Sequence, residues 1–398
     1  MAKKPITIVS LFSGCGGMDL GFMGNFDFLG RHYSDTGFKI IWANELSHAA
    51  CETYRRNFHH PIVEGDIKDA IDKMPREADV VVGGFPCQDI SINGKMMGVN
   101  GSRSSLYTYI VEAVKRIQPK AFVAENVGGL LLKQNQYSLN KILDDFNSLG
   151  YRITYQLYHA EEYGVPQTRE RVVFVGTRMD MPEFAAPQPL LDKPLTARDA
   201  MADLEDMEEN KTFSHIWSKA NVSGEQGNRR MVADRPGYTI RAECHGNIQF
   251  HYSLPRRISM REAARIQSFP DTFIFPCGLR DTERQIGNAV PPVLAWHIAQ
   301  SLKKVVECGA DCIYLGAKKF AKTIKDLGIT MVEFLPLNEY DNKQNGSNHW
   351  GYMPLSYFSL AKRYVYNNSA GDLLCEFRSM VDEFHKNGIK VCMRSEER

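Results

Sequence analysis

The stretch ADVVVGGFPCQDIS, residues 78–91, runs from an apolar segment into a glycine- and proline-rich turn that carries a cysteine. The three valines predict a buried β-strand, and the Gly-Gly pair with Pro86 predicts a shaped, non-helical exit from it. Cys87 would then project from a fixed loop at a strand end, where a thiolate can attack an electron-poor carbon. A lone cysteine usually serves packing, so this interpretation depends on the rest of the chain.

Length and composition are those of a globular protein with two or three domains: 398 residues, 43% hydrophobic, and a formal charge of +1. No run approaches the roughly 18 apolar residues of a membrane span, and the start MAKKP has no apolar signal core, so we expect a cytoplasmic protein with no membrane partner. Nine cysteines without a C-x-x-C pair argue against a disulfide framework and a zinc site, and no metal is expected.

Apolar runs and amphipathic segments alternate over the first 180 residues, which predicts an α/β layer with a largely parallel sheet. The predicted strands are 6–11, 38–43, 79–82, 121–124, 151–157 and 171–176, and the predicted helices are 47–57, 105–117 and 138–149. Between 181 and 254 the pattern becomes short and irregular, which indicates a second, smaller domain. Helical periodicity returns at 259–267 and 292–306.

A glycine-rich turn, FSGCGGMDLG at 12–21, follows the first strand, and glycines there let a ligand approach the backbone closely. Glu45 ends the second strand, where a carboxylate can accept both hydroxyls of a ribose, and Asp66 is placed to accept from an adenine amino group. The Gly-x-Gly-x-x-Gly spacing of dinucleotide sites is not met cleanly. A nucleoside-type cofactor without a pyrophosphate therefore fits better.

Taken in order, six motifs resemble those of the DNA cytosine-5 methyltransferase family: FSGCGG (12–17), GFPCQ (84–88), ENV (125–127), QTRER (167–171), REAARIQSFPD (261–271) and RQIGNAV (284–290). The resemblance implies an α/β fold with an S-adenosylmethionine-dependent, Rossmann-like methyltransferase sheet, a small irregular target-recognition domain and a C-terminal appendage. It implies a catalytic and cofactor-binding domain at 1–180, target recognition at 181–254, a return segment at 255–308 and the appendage at 309–398.

The resemblance also implies the contacts to S-adenosylmethionine, which are expected at Phe12, Gly14, Gly16, Glu45, Asp66, Ile67, Leu106, Asn288 and Ala289. Two departures from the family pattern are visible. Residues 25–37 read as a surface insertion, and Leu46 stands where an aromatic residue often lies against the adenine.

The predicted chemistry starts from the poor nucleophilicity of carbon 5 of cytosine, which a thiolate added at carbon 6 overcomes. Cys87 is the predicted thiolate, and Glu125, placed just after the strand at 121–124, is the predicted acid at ring nitrogen 3. Arg171, two residues after Arg169, is expected on the same strand face, holding the base carbonyl and orienting Glu125. We predict Arg169 as a fourth catalytic residue. The pair His59-His60 reads as a solvated turn.

A stacked base cannot reach a buried sulfur, so double-stranded DNA is the expected partner and the target cytosine is expected to flip out of the duplex. Residues 88–103 would form the mobile loop. Predicted DNA contacts are Ser91, Lys95, Arg103, Gln167, Arg229, Arg230 and Arg241, with base and phosphate contacts equally open for each. We expect a monomer that protects host DNA from a restriction endonuclease of the same site without forming a stable complex.

From about residue 309 the chain changes character and resembles an early piece of an α-amylase superfamily barrel of the glycogen-branching or debranching sort. A helix near 320–327, a strand near 329–335 and a strand at 388–391 carry this resemblance. A quarter of a barrel cannot close, so we expect a loosely ordered appendage or one packed on the main body.

Three alternatives remain open: a related enzyme acting on RNA, a DNA-binding protein without catalysis, and glycan binding through the tail.

Overall fold

The computed structural model describes residues 5–85, 106–179, 181, 183–190, 192–222, 228–243, 248–311, 314–338, 359–361, 364 and 370–394. Its contacts divide the chain into one unit of Met1–Arg178 with Glu183–Lys303 and a second of Met179–Pro182 with Lys304–Arg398. This division does not separate 183–254 from the rest of the first unit, so a distinct target-recognition domain at 181–254 stays a prediction.

In the first unit the described strands are β1 (Ile6–Leu11), β2 (Phe26–Phe28), β3 (Arg31–Tyr33), β4 (Phe38–Glu45), β5 (Ile62–Glu64), β6 (Val80–Gly84), β7 (Ala121–Val127), β8 (Tyr151–His159), β9 (Gln167–Thr168), β10 (Glu170–Arg178) and β11 (Gly237–Tyr238). The helices from the start of the chain are α1 (Gly17–Met23), α2 (His48–Asn57), α3 (Ile67–Ala70), α4 (Leu106–Ile117), α5 (Gln136–Asn147), α6 (Ala197–Met201), α7 (Met260–Ile266), α8 (Leu279–Asn288) and α9 (Pro292–Asp311).

Seven strands form one sheet in the order β5-β4-β1-β6-β7-β10-β8. The pairs from β5 to β7 are parallel, and β10 is antiparallel to both β7 and β8. The order reverses between β1 and β6, and the crevice outside the carboxyl ends of the strands at such a reversal is where α/β sheets bind ligands.

Burial explains why these runs are strands. The central strands β1, β6 and β7 are buried along nearly their whole length, as expected for parallel strands covered on both faces. Helix α4 packs one stripe into the core under the sheet, with its buried side chains at helical spacing: Tyr107, Ile110, Val111, Val114 and Ile117. Burial of apolar side chains therefore stabilises the sheet and helix α4, and with them the position of the strand ends.

The predicted strands are all present, and one boundary matters for function. The prediction that Glu125 follows its strand is wrong, because β7 continues to Val127 and Glu125 lies inside it. The extension is held by the neighbouring antiparallel strand, in which Arg171 stands opposite Val127 and Val173 opposite Glu125. This non-local pairing keeps Glu125 in the sheet.

The interpretation of residues 25–37 as a plain surface insertion is also corrected. Strands β2 and β3 form an antiparallel hairpin, and its apolar side chains Phe26, Phe28 and Tyr33 are buried. The ring of Tyr33 meets Trp296 of α9 edge-on at 5.3 Å between centroids. The segment thus adds to the core.

The second unit contains α10 (Tyr314–Lys319), α11 (Ala321–Asp326), β12 (Met331–Phe334), α12 (Ala370–Lys386) and β13 (Lys390–Met393) among its described residues. The strands β12 and β13 pair in parallel. A small apolar cluster of its own is built from Tyr314, Ala321, Met380, Phe384 and Ile389. Of the two alternatives expected for the tail, a loosely ordered appendage does not fit these residues. Packing on the main body and the resemblance to a barrel fragment stay predictions.

Candidate active site

The end of β6, which leads to Cys87, is tied to β7. Gly84 stands opposite Glu125 in the parallel register, and the backbone N–H of Phe85 donates to the Glu125 carbonyl at 3.3 Å. The side-chain amide of Asn126 donates to the carbonyl of Phe85 at 3.1 Å. Cys87 itself lies outside the described residues, as do the predicted DNA contacts Ser91, Lys95 and Arg103.

Glu125 and Arg171 form a nearly buried ion pair at this edge of the sheet. The Arg171 Nε lies 2.7 Å from Glu125 Oε1, and the two side chains are 11% and 9% exposed. Burial raises the pKa of Glu125, while the charges of Arg171 and Arg169 oppose that rise. Burial therefore favours the protonated form of the Glu125 carboxyl group, and Arg171 fixes the orientation of that group.

Arg169 lies between β9 and β10, outside the strand that holds Arg171. Its buried guanidinium donates to three backbone carbonyls, those of Ile240 at 3.1 Å, Gly287 at 2.7 Å and Ala289 at 3.0 Å. It thereby ties the end of α8 to the irregular segment. It acts on Glu125 only through its charge, and its catalytic role stays a prediction.

The prediction that Gln167 contacts DNA is corrected by its surroundings. The side chain is fully buried; it donates to the Ile266 carbonyl at 3.1 Å and to Gln267 Oε1 at 2.5 Å. Its own carbonyl oxygen accepts from the N–H of Ile240 at 3.1 Å. Because its polar groups are already paired inside the protein, Gln167 stabilises the junction and does not face a ligand.

On the other side of the sheet reversal, the first turn is shaped by left-handed backbone. Phe12, Gly14 and Gly16 have φ values of 54°, 57° and 95°. A Cβ at Gly16 would come within 2.2 Å of the Phe58 ring, whereas a Cβ at Gly14 would meet nothing within 4 Å. Glycine is thus required at 16 by close packing, while the turn is open beside Gly14.

Glu45 connects this turn to the end of β4. Its Oε2 accepts from the N–H of Gly14 at 2.9 Å, and its Oε1 accepts from the N–H of Ser47 at 2.8 Å. Each carboxylate oxygen keeps a second lone pair for another donor. The turn and the carboxylate are therefore held as one surface.

The remaining predicted cofactor contacts differ in exposure. Asp66 is exposed and caps α3, accepting from the N–H of Lys68 at 2.9 Å, while Ile67 is buried behind it. Leu106, at the start of α4, and Ala289 are half-buried, and Asn288 is exposed at the end of α8. Leu46 is 68% exposed.

The predicted recognition residues Arg229, Arg230 and Arg241 are all exposed, but Arg230 is also held by hydrogen bonds within the protein. Arg230 donates to the carbonyls of His251 and Leu254 at 2.5 and 2.9 Å. The Arg229 guanidinium lies 5.7 Å from the centre of the Tyr238 ring. Arg229 and Arg241 are therefore better placed to reach a ligand than Arg230.

Sequence reasoning missed a buried polar group beneath the first turn. Asp19 is fully buried and accepts from Ser10 and Tyr54, and Tyr54 in turn contacts His60. The interpretation of His60 as a solvated turn residue is therefore wrong, because Nε2 lies 2.7 Å from the Tyr54 hydroxyl. The sequence signal that could have indicated this buried group was Asp19 itself, an acidic residue within the otherwise apolar stretch of α1.

Another cysteine near the site, Cys15, has different properties from those a nucleophile needs. Burial is the main cause that raises the pKa of its thiol to about 12, so it stays protonated at neutral pH. Across the part of the chain that the structure describes, no group of three or more His, Cys, Asp or Glu is arranged to hold a metal. Nor, in those same stretches, is there a helix with the length and apolar character needed to cross a bilayer.

Comparison with known proteins gives one consistent family. A family model described as C-5 cytosine-specific DNA methylase matches residues 6–230 and 217–304. The Type II methyltransferase M.NgoFVII of Neisseria gonorrhoeae is 38% identical over 337 residues, which cover 76% of this chain and 87% of that protein. M.FnuDI of Fusobacterium nucleatum, also a Type II methyltransferase, is 34% identical over 337 residues, covering 75% and 94%.

A solved structure agrees with the fold. The Entamoeba histolytica methyltransferase EhMeth superposes with a TM-score of 0.56 at 16% identity, covering 75% of this chain and 98% of its own.

Proposed function

The chain belongs to the C-5 cytosine-specific DNA methylase family and is a DNA cytosine-5 methyltransferase, and on that premise we propose that Cys87, Glu125 and Arg171 form its catalytic group. The observation that carries the proposal is the buried Glu125–Arg171 pair, joined at 2.7 Å. It lies beside the end of β6, and Cys87 follows Phe85 by two residues in the chain.

In this proposal the Cys87 thiolate forms a bond to carbon 6 of cytosine, the electron pair of the 5,6 double bond forms a 4,5 double bond, and the pair of the 3,4 double bond moves to nitrogen 3. The charge that develops at nitrogen 3 takes the proton of Glu125 or a strong hydrogen bond from it. Arg171 holds the base carbonyl oxygen and keeps the Glu125 carboxyl in position. Carbon 5, made nucleophilic in this way, would take the methyl group that S-adenosylmethionine supplies when bound. Loss of the carbon 5 proton to a base then re-forms the 5,6 double bond and expels Cys87 as the thiolate, while nitrogen 3 returns its proton to Glu125 and the aromatic ring is restored.

The residues of the first turn fit S-adenosylmethionine as the cofactor. The open space beside Gly14 and the carboxylates of Glu45 and Asp66 at neighbouring strand ends suit a nucleoside with an amino acid tail. Phe12, Gly16, Ile67, Leu106, Asn288 and Ala289 would complete the site. S-adenosylmethionine, when bound, supplies the methyl group. The chain's part is to hold it over the same sheet edge as Glu125.

Access to carbon 6 requires that the target cytosine leave the DNA stack, at a cost of a few kcal/mol. Arg229 and Arg241, both exposed, are the described residues that we assign to contacts with duplex DNA. Ser91, Lys95 and Arg103 are assigned by sequence alone. A monomer acting next to an independent restriction endonuclease is the biological setting that we propose.

The experiment is transfer of labelled methyl groups from S-adenosylmethionine to duplex DNA and, separately, to transfer RNA. We expect label in DNA only, and bisulfite sequencing of DNA from expressing cells then gives the recognition sequence. Label in RNA alone would favour the RNA enzyme, and DNA binding without transfer would favour a non-catalytic protein. A Cys87→Ser protein that retains full activity would remove Cys87 from the mechanism.

A further inference from the structure

A carboxylate that the proposed chemistry does not use lies directly under the cofactor turn. Asp19, in the first turn of α1, has no exposed surface, and both of its oxygens are occupied. Its Oδ1 accepts from the Ser10 hydroxyl at 2.7 Å and its Oδ2 from the Tyr54 hydroxyl at 2.5 Å. Burying a charge is costly unless hydrogen bonds compensate it, and here two do.

The ionised carboxylate sets the direction of every hydrogen bond around it, because it can only accept. Ser10 must donate to Asp19, so its oxygen accepts from the Ser13 hydroxyl, 2.9 Å away. Tyr54 must also donate to Asp19, so its oxygen accepts from Nε2 of His60 at 2.7 Å. Two series of hydrogen bonds therefore end on Asp19: one runs from Ser13 through Ser10, and the other from His60 through Tyr54. In this arrangement neutral His60 carries its proton on Nε2.

Both series of hydrogen bonds reach the turn at residues 12–17, which is the proposed cofactor turn. Ser13 precedes Gly14, and its backbone N–H donates to the Asn44 carbonyl at 2.9 Å, next to the Glu45 carboxylate. On the other side, the ring of Tyr54 packs against that of Phe58 at 4.4 Å between centroids and an interplanar angle of 38°, and these two rings fill the space against Gly16. The carboxylate thus restrains the turn at Ser13 and at Gly16.

We propose that Asp19 is a positioning residue for S-adenosylmethionine, acting through Ser13 and Tyr54 to hold the turn that binds the cofactor. The inference rests on the proposed cofactor site and names a residue that does not itself touch the cofactor. It predicts an effect on cofactor affinity with little effect on the methyl-transfer step, because Glu125 and Arg171 lie on other strands, β7 and β10.

The titratable groups that interact with Asp19 are Cys15 of the turn and Tyr54 of α2, and His60 contacts Tyr54 behind it. The charge of Glu45 acts on Cys15, and the charges of His59 and Lys39 act on His60. Burial raises the pKa of Cys15 to about 12 and of Tyr54 well above its usual value, and lowers that of His60 to about 4. Burial raises the pKa of Asp19 to about 6. Of these four groups, Asp19 is the one that changes charge between pH 5 and 7.

The test compares Asp19→Asn, Ser13→Ala and Tyr54→Phe in the full chain by the dissociation constant of S-adenosylmethionine and by KM and kcat. Each variant is expected to weaken cofactor binding about tenfold, with kcat close to that of the unchanged enzyme. The losses of cofactor affinity in Asp19→Asn and Ser13→Ala should not add in the double variant, because both substitutions break the same series of hydrogen bonds. Cofactor affinity of the unchanged enzyme should fall below about pH 6, while that of Asp19→Asn should stay flat.

Asp79→Asn is the matched control, since Asp79 also accepts from a hydroxyl, that of Thr7 at 2.9 Å, but precedes β6 at the opposite end of the strands. It should change stability without changing KM for the cofactor. Folded Asp19→Asn with unchanged affinity and pH profile, or additive effects, would overturn the inference. If Asp19→Asn does not fold, unchanged affinity in both Ser13→Ala and Tyr54→Phe overturns it equally.

Glu45→Ala separates this inference from the proposed cofactor site. If Glu45→Ala no longer binds S-adenosylmethionine but Asp19→Asn, Ser13→Ala and Tyr54→Phe bind it normally, only the positioning role of Asp19 is rejected. Normal binding in Glu45→Ala would reject the cofactor site itself.

Discussion

At the scale of single residues, two opposed effects on Glu125 determine what the site can do. Burial favours the protonated carboxyl, while Arg171 at 2.7 Å and the charge of Arg169 favour the carboxylate. Burial is the larger effect, so the pKa of Glu125 is raised. An acid that is buried but oriented by an arginine is suited to give a proton to a ring nitrogen.

Arg171→Ala should move the pH dependence of the reaction. Glu125 acts when protonated, so activity falls as the pH rises through its pKa; removing Arg171 raises that pKa and moves the falling limb to higher pH. We also expect kcat to fall by about 100-fold, since the base carbonyl loses its donor. The measurement is kcat against pH, and a limb that stays in place would show that Arg171 does not control Glu125.

Arg229→Ala should weaken binding to the recognition sequence by about 1–3 kcal/mol if the side chain reads a base, with little effect on stability. Arg230→Ala is the matched control, because Arg230 already donates to two backbone carbonyls and should affect folding more. Binding to specific and to random duplexes at several salt concentrations separates base from phosphate contact. Unchanged binding by Arg229→Ala would remove it from the interface.

At the scale of elements, the turn after β1 depends on glycine for space as well as for backbone conformation. Gly16 and Gly30 both have positive φ, 95° and 77°, but only at Gly16 would a Cβ meet a neighbour within 4 Å. Gly16→Ala should therefore cost about 3 kcal/mol and weaken cofactor binding, whereas Gly30→Ala should cost about 1 kcal/mol. Thermal denaturation and cofactor titration measure both, and equal losses would contradict the packing argument.

Sequence patterns predicted six of the seven strands of the main sheet and the helices α2, α4, α5, α7 and α9, because each is a local apolar run or stripe, as in β6 and α4. They missed the edge strand β5, the short strands β2, β3, β9 and β11, and the helices α3, α6 and α8. Contacts between distant segments could not be predicted in this way. Glu125 belongs to β7 because β10 pairs with it, and Arg169 is buried because it binds backbone carbonyls at the end of α8. His60 is held by a tyrosine hydroxyl that only the fold brings near.

In the molecule as a whole, two boundaries coincide. The match to the family model ends at residue 304, and the first structural unit ends at Lys303. The second unit has its own apolar cluster around Tyr314 and Phe384. Its motifs were visible in the sequence as a helix and two strands, but the cluster depends on how α10 and α12 pack.

Removing residues 312–398, which keeps α9 whole, should leave methyl transfer to DNA unchanged. The catalytic group and the cofactor turn all lie in the first unit. The measurement is kcat and KM of the shortened and full chains, together with a polysaccharide pull-down of each. Loss of methyl transfer on shortening, or glycan binding by the full chain alone, would contradict this division of roles.

The proposed mechanism depends on a bond between the sulfur of Cys87 and carbon 6 of the target cytosine. Duplex DNA with 5-fluorocytosine at the target position should trap this bond in the presence of S-adenosylmethionine, because fluorine cannot leave as the proton does. Peptide mapping should find the cross-link at Cys87 and none in Cys87→Ser. A cross-link at another residue, or none in an enzyme that methylates ordinary DNA, would contradict the account.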